Sequence, residues 1–191
     1  MVALQGFVVW FAWPLVAGLV LLVQVRSRRG LWHALGVLAL ATYALWIASV
    51  AFFPIYIGRY PGLEDQSVGA WDLVNLVPLR SLIRSFAVDP GGDWWLRVYG
   101  GNILLLVPFT LVGPVLWSRM RKWWKALLMG LGMSVGIELV QLALRLVAEP
   151  PYRSVDIDDV ILNTSGALLG YGLFAAGRWY AARHRGRVSS E

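Results

Sequence analysis

Hydrophobic residues in this chain gather into five runs: Gly6 to Val25, Leu31 to Phe53, Val98 to Trp117, Trp123 to Val147 and Ile157 to Gly177. Each is roughly 20 to 25 residues, enough for a helix to cross the ~30 Å hydrocarbon core of a bilayer. Little chain lies between them. The pattern predicts an all-α integral membrane protein, a single five-helix transmembrane bundle over residues 1–191 with no soluble domain. The first run has no basic residue before it and Arg26, Arg28 and Arg29 after it, the reverse of a cleaved signal peptide, so a retained helix is expected.

The longest connection, Pro54 to Arg97, reads as mostly irregular, with turn signals at Pro61-Gly62 and Pro90-Gly91-Gly92. Within it the spacing predicts a short amphipathic helix from Pro78, where a first-turn proline costs nothing. Leu79, Leu82, Ile83 and Phe86 form its apolar face, and Arg80, Ser81, Arg84 and Ser85 the polar one. Such a segment lies at the membrane interface or dips in as a re-entrant turn. Either it merely floats on lipid, or Arg80 and Arg84 contact lipid phosphates.

With 58% hydrophobic and 15% charged residues, the composition agrees with a membrane bundle and not with a soluble globule. Cysteine is absent, which excludes disulfide and thiolate chemistry. The net charge of +6 would admit nucleic acid as a partner, but its distribution makes that unnecessary. The segments after helices one, three and five hold eleven of the seventeen basic residues and one acid, Glu191; the other connections hold six basic residues and nine acids. By the positive-inside rule the N-terminus is outside and the C-terminus cytoplasmic. Tryptophans mark both interfaces in this layout, with Trp71, Trp94 and Trp95 outside and Trp32, Trp117, Trp123, Trp124 and Trp179 inside.

Polar residues within the spans carry the candidate chemistry, because an ionised side chain at mid-bilayer costs at least ~2.5 kcal/mol. Helix four bears Ser134, Glu138, Gln141 and Arg145 on one stripe; helix five bears Asp156, Asp159, Asn163, Gly166 and Gly170 on one face, with Asp158 beside it. Helix three has Asn102 near its outer end. At 1.5 Å per residue, Glu138 and Asn163 lie ~10 Å, and Asn102 ~6 Å, below the outer ends of their helices. The three helices therefore bring polar groups to one stratum on the outer side, away from His33 and His184. The aspartates can also cap helix five, and the pairs Gly166/Gly170 and Gly132/Gly136 read as close helix packing.

Four stretches resemble the motif series of the VanZ-like membrane proteins: NLVP (Asn75 to Pro78), GNILLLVPF (Gly101 to Phe109), IELVQ (Ile137 to Gln141) and RSVDIDDVILNTSGALLGY (Arg153 to Tyr171). The resemblance spans roughly Trp71 to Tyr171, in order, with helices one and two matching only as generic spans. It implies a bacterial cytoplasmic-membrane protein linked to the cell envelope, in a family whose named member is associated with resistance to the glycopeptide teicoplanin. The family's polar motif positions fall on Asn75, Asn102, Glu138, Gln141, Arg153, Asp156, Asp159 and Asn163.

Three functions remain open. One is an enzyme acting on a lipid-linked envelope substrate or phospholipid at the outer leaflet. Glu138, Asp159 and Asp156 would then supply acid–base chemistry, and Arg153 with Arg80 or Arg84 would hold a phosphate. Asn75, Asn102, Gln141 and Asn163 would complete the binding site. Magnesium or calcium would suit the oxygens of Asp156, Asp158 and Asp159. The second is a non-catalytic binder of lipid headgroups or of an amphiphilic antibiotic. The third is structural, a polar cluster that only locks helices together.

Overall fold

The computed structural model of the protein describes residues 2–27, 29–57, 74–88, 93–147 and 155–188. Trp71, Arg153 and the Pro61-Gly62 and Pro90-Gly91-Gly92 turns lie outside the described residues, as do the side chains of Trp94 and Trp95. Among the described residues, five helical segments are long and apolar enough to cross a membrane. They follow the five hydrophobic runs, and the protein is an all-α, multi-pass membrane protein.

The first span is a 3-10 stretch, Gly6–Ala12, continuing into α1 (Trp13–Ser27); it pairs with α2 (Leu31–Ala51). Its apolar residues point in all directions and stay largely exposed, Phe11 at 78% and Leu15 at 77%, as suits a helix surrounded by lipid. Strand β1 (Val2–Leu4) pairs antiparallel with β2 (Ile55–Ile57), tying the start of this span to the chain just beyond α2.

The amphipathic helix expected from Pro78 is present two residues later, as α3 (Arg80–Val88). The third span is not one helix from Val98. It starts earlier, as α4 (Asp93–Leu105), breaks at Leu106, and resumes as α5 (Val107–Leu116). Pro108 explains the break: it has no N–H for the carbonyl of Leu104, and its ring crowds that carbonyl. The Tyr43 hydroxyl covers the exposed backbone, donating to the carbonyl of Leu105 at 3.2 Å and reaching that of Leu104 at 3.5 Å.

The fourth span is α6 (Trp123–Val147) and the fifth α7 (Ile157–Val188). At 32 residues, α7 is about 48 Å long, eleven residues past the expected end at Gly177. Alanine and arginine favour helix in the extension, and positive charge suits the C-terminal end of the dipole. Two backbone segments that read as irregular also pair: β3 (Val74–Asn75) lies parallel to β4 (Val155–Asp156).

Helix α7 is the centre of the bundle, packed on α4, α5 and α6. Its glycines make this possible. A Cβ at Gly166 would overlap the carbonyl of Ile103, and one at Gly170 would overlap the carbonyl of Val107 and the hydroxyl of Thr110. The two glycines thus straddle the break at Leu106, one turn apart. On α6 it is Gly130 that packs against Ala167, whereas Gly132 and Gly136 have nothing within 4 Å of a Cβ position. The expected packing role of that second pair is therefore wrong; spacing alone does not say which side of a helix meets a neighbour.

The bundle has two unlike ends. At one, the His33 and Trp117 rings lie 6.0 Å apart and the Tyr171 hydroxyl donates to the carbonyl of Arg121 at 2.9 Å. Arg29, Arg119, Lys122 and Lys125 belong to this basic end. At the other, Gln141 donates to the last carbonyl of α2, at Ala51, over 3.0 Å. That acidic end carries α3, the β3–β4 pair and the start of α7.

Replacing Gly166 with alanine should lower the thermal midpoint by several degrees, the effect of about 1–3 kcal/mol of overpacking against rigid backbone. Gly132→Ala should cost nothing. A fluorescence-detected thermal stability assay compares them; equal midpoints would contradict the packing described.

Candidate functional site

Helix α7 begins with three carboxylates in four residues, and each is met by a different part of the chain. Asp156 is the N-cap: its Oδ1 accepts the N–H of Asp158 at 2.9 Å. The same oxygen accepts from Asn75 Nδ2 at 2.9 Å, and the other oxygen accepts the Ser81 hydroxyl. Asn75 also donates to Ser81 Oγ at 3.0 Å, closing a triangle of Asn75, Ser81 and Asp156. The backbone N–H of Asp156 donates to Glu138 Oε2 at 3.1 Å. In a local capping box that acceptor would come from the same helix; here α6 supplies it.

Asp158 faces α3. Its Oδ1 accepts the N–H of Leu79, and its Oδ2 those of Ser81 at 3.0 Å and Leu82 at 3.3 Å. A carboxylate from α7 thus caps the N-terminus of a separate nine-residue helix, where free N–H groups and the helix dipole favour negative charge. Leu79 itself has φ 64°, a left-handed conformation that costs a leucine about 1–2 kcal/mol. The Asp158 contact at its N–H helps hold it there. Asp159 takes the third direction, accepting from the Asn102 amide on α4.

One turn deeper, Asn163 donates to Ser134 Oγ on α6 at 2.9 Å. Both are buried, Asn163 at 2% exposure. The Asn163 amide oxygen has no hydrogen-bond partner among the described residues. Leaving such an acceptor dry and unpaired costs about 1–3 kcal/mol, so it marks a point where a donor would be stabilising.

Beside this turn lies a cavity of about 790 Å³. Glu138, Gln141, Asp156, Asp159 and Asn163 line it from α6 and the start of α7, and Ser81, Arg84, Ser85, Arg97 and Asn102 from α3 and α4. Glu138 and Asp156 are buried, at 4% and 8% exposure, while Arg84 and Arg97 are exposed. Exposed guanidinium groups and buried acid and amide groups therefore line one cavity among the described residues. Ser85 and the Tyr99 hydroxyl, 2.9 Å apart, fasten α3 to α4 next to it.

Of the residues expected in a site, Asn102, Glu138, Gln141, Asp156, Asp159, Asn163 and Arg84 line one cavity. Arg80 is exposed and outside the lining; Asn75 acts through Asp156 and Ser81; Arg153 lies outside the described residues. The expected metal set of Asp156, Asp158 and Asp159 does not form. Among the described residues no three His, Cys, Asp or Glu side chains gather to hold a metal ion. Asp158 is turned towards α3, and both oxygens of Asp156 are engaged by Asn75, Ser81 and its own helix. Asp156 is thereby a positioning group for the turn.

Arg97 was missed by sequence reasoning. It sat in what read as loop, and only the earlier start of α4 puts it little more than one turn from Asn102 on the same helix. Ser81 was visible only as part of a polar face; its bond to Asp156 is a contact across 75 residues.

The fold and cavity define a class: a multi-pass helical membrane protein whose spans enclose a polar, charge-lined cavity at one end. The chain belongs to the VanZ/LLP1 family, whose model, described as VanZ/LLP1, matches residues 40–178. Comparison with curated proteins and with solved structures gave no match. The four resembling motifs meet in space, since Asn75, Asn102 and Glu138 all bond the turn at Asp156 to Asp159.

Replacing Asp158 with alanine removes the acceptor for three backbone N–H groups and should cost about 2 kcal/mol, the upper range for a lost cap. Hydrogen exchange at Leu79 to Leu82 should accelerate by at least about tenfold, while amides in the middle of α6 stay protected. Unchanged exchange at α3 would contradict the cap.

Proposed function

We propose that this protein recognises the headgroup of a phospholipid or lipid-linked cell-wall intermediate, from the extracytoplasmic side of a bacterial cytoplasmic membrane. One observation carries the reading: a single cavity joins exposed guanidinium groups to buried carboxylates and amides beside an amphipathic interfacial helix. Arginine matches phosphate geometry bidentately and is the side chain suited to hold it at a partly dry rim. On α3, Ile83 (63% exposed) and Val88 (80%) flank the cavity with apolar surface suited to acyl chains. The orientation follows the charge asymmetry, with the basic end in the cytoplasm. If the bound lipid is processed, Glu138 and Asp159 are the groups proposed to move the proton. The association with teicoplanin resistance belongs to the family, and binding an envelope lipid or shielding it from an amphiphilic antibiotic would connect this site to it.

A second reading is favoured by the density of internal bonds: Asp156, Asp158 and the Asn163–Ser134 pair all join separate segments, as a structural lock would. Lipid copurifying with the protein separates the two. The recognition reading expects one headgroup class enriched by at least about tenfold over bulk membrane, about 1.4 kcal/mol of preference. Arg84→Gln should lose the enrichment, and Glu138→Gln should lose the lipid or retain it unprocessed. A bulk-like lipid profile in the wild type, with variants that only melt earlier, would establish the lock instead.

A further inference from the structure

We infer that the cavity holds part of its lipid's hydrocarbon as well as the headgroup: the first carbons of an acyl chain lie inside it, against Trp46 and Val50 of α2. This deepens the lipid-headgroup reading and rests on it.

The lining is of two chemical kinds. Arg84 and Arg97 offer guanidinium groups from α3 and α4, whereas everything α2 contributes is apolar: Trp46, Val50 and Ala51. Trp46 and Val50 are four residues apart and share one face of that helix. At 1.5 Å per residue, Trp46 lies about 7 Å along α2 from its end at Ala51, so this lining reaches down into the span. Both side chains line the cavity while remaining 44% and 40% exposed. They therefore meet whatever fills it.

That pairing of walls selects the ligand. A wholly polar molecule would leave Trp46 and Val50 against water. A plain alkyl chain would offer nothing to the guanidinium groups. A phosphate with a chain attached suits both, provided the chain begins inside the cavity. Ile83 and Val88 of α3 lie outside the lining, so they meet a chain only beyond it.

The α2 wall is set in place by its neighbours. The Trp46 ring stacks on that of Tyr43, with centroids 5.4 Å apart and planes at 25°. Tyr43 in turn packs on Phe109 at 5.7 Å and donates to the carbonyl of Leu105. Further along, α2 packs on α5, with Gly36 against Leu116, but no comparable packing joins it to α4 or α6. The Gln141 bond to the Ala51 carbonyl ties its outer end to α6. Helix α2 thus borders the cavity without closing on α4, and a chain seated on Trp46 has that side by which to pass into the bilayer.

The test is photo-crosslinking of the purified full-length protein with a phosphatidic acid bearing a diazirine on the first carbons of its acyl chain. A diacylglycerol with the same chain is the phosphate-free probe. Peptide mass spectrometry maps the labelled residues, and competition by unlabelled phosphatidic acid separates saturable labelling from bulk lipid contact. Saturable labelling should fall on α2 at residues 46–51 and exceed that from the diacylglycerol by at least about tenfold. Trp46→Ala and Val50→Ser should each weaken phosphatidic acid by at least about fourfold, the effect of one buried methylene, and leave the affinity for glycerol 3-phosphate unchanged. Saturable labelling at Ile83 to Val88 with none on α2 would overturn the chain subsite while the headgroup site stands. Glycerol 3-phosphate competing at parity with phosphatidic acid would do the same. Equal labelling by both probes, insensitive to competition and to Arg84→Gln/Arg97→Gln, would overturn the headgroup reading as well. The wild-type map decides the matter even if a variant fails to fold.

Discussion

A carboxylate enclosed between membrane helices is tolerated only where hydrogen-bond donors are brought to it, and the first turn of α7 carries three. The donors come from elsewhere. Asn75 and Ser81 serve Asp156, the N-terminus of α3 serves Asp158, and Asn102 serves Asp159. Glu138 closes the arrangement by accepting the backbone N–H of Asp156. Desolvating these charges without such partners would cost several kcal/mol each, more than any one helix-packing contact returns. The position of α3, the β3–β4 pair and the polar faces of α4 and α6 all follow from that requirement. Because charged partners are joined in a network, the bonds act together and no single pair measures the whole.

The same constraint shapes the cavity. Asp158 grips the N-terminus of α3 from inside, so Ser81 and Ser85 turn inward and Ile83 turns out. An amphipathic helix that would ordinarily rest its apolar face on the protein instead presents its serines to the acidic turn and its hydrocarbon outward. Behind it, Gly166 and Gly170 let α7 come close to the broken α4–α5 span, which sets Asn102 within reach of Asp159. Small residues and buried acids thus have separable tasks on one helix: the first fix the distance between backbones, and the second fix what surrounds the space left over.

Much of this was legible in the chain. Span lengths follow from hydropathy because a bilayer admits few alternatives. The amphipathic α3 follows from period, and the shared depth of Asn102, Glu138 and Asn163 follows from helix rise. What could not be read was partnership between distant segments. Asp158 belonged by spacing to the start of α7, yet its partners are backbone groups 76 to 79 residues away. Gly132 and Gly136 had the spacing of a packing pair, while the contact falls on Gly130, because the facing side of α6 depends on where α7 lies. Pro108 lay within what reads as one unbroken span, and nothing marked Tyr43 as the group that covers the break. Arg97 was hidden because hydropathy put the start of the span at Val98, five residues after the helix begins at Asp93.

The aspartate turn gathers these motifs around one cavity, which we propose is open to water on the extracytoplasmic side. The chain contains no cysteine, so single cysteines report without background. Gly101 lines the cavity and has nothing within 4 Å of a Cβ position, whereas Leu104, 61% exposed, lies on the outer surface of the same helix. In intact cells, a membrane-impermeant thiol reagent should label Gly101→Cys and leave Leu104→Cys unmodified in lipid. Labelling of neither, or of Gly101→Cys only after the cytoplasmic face is opened to the reagent, would contradict the account.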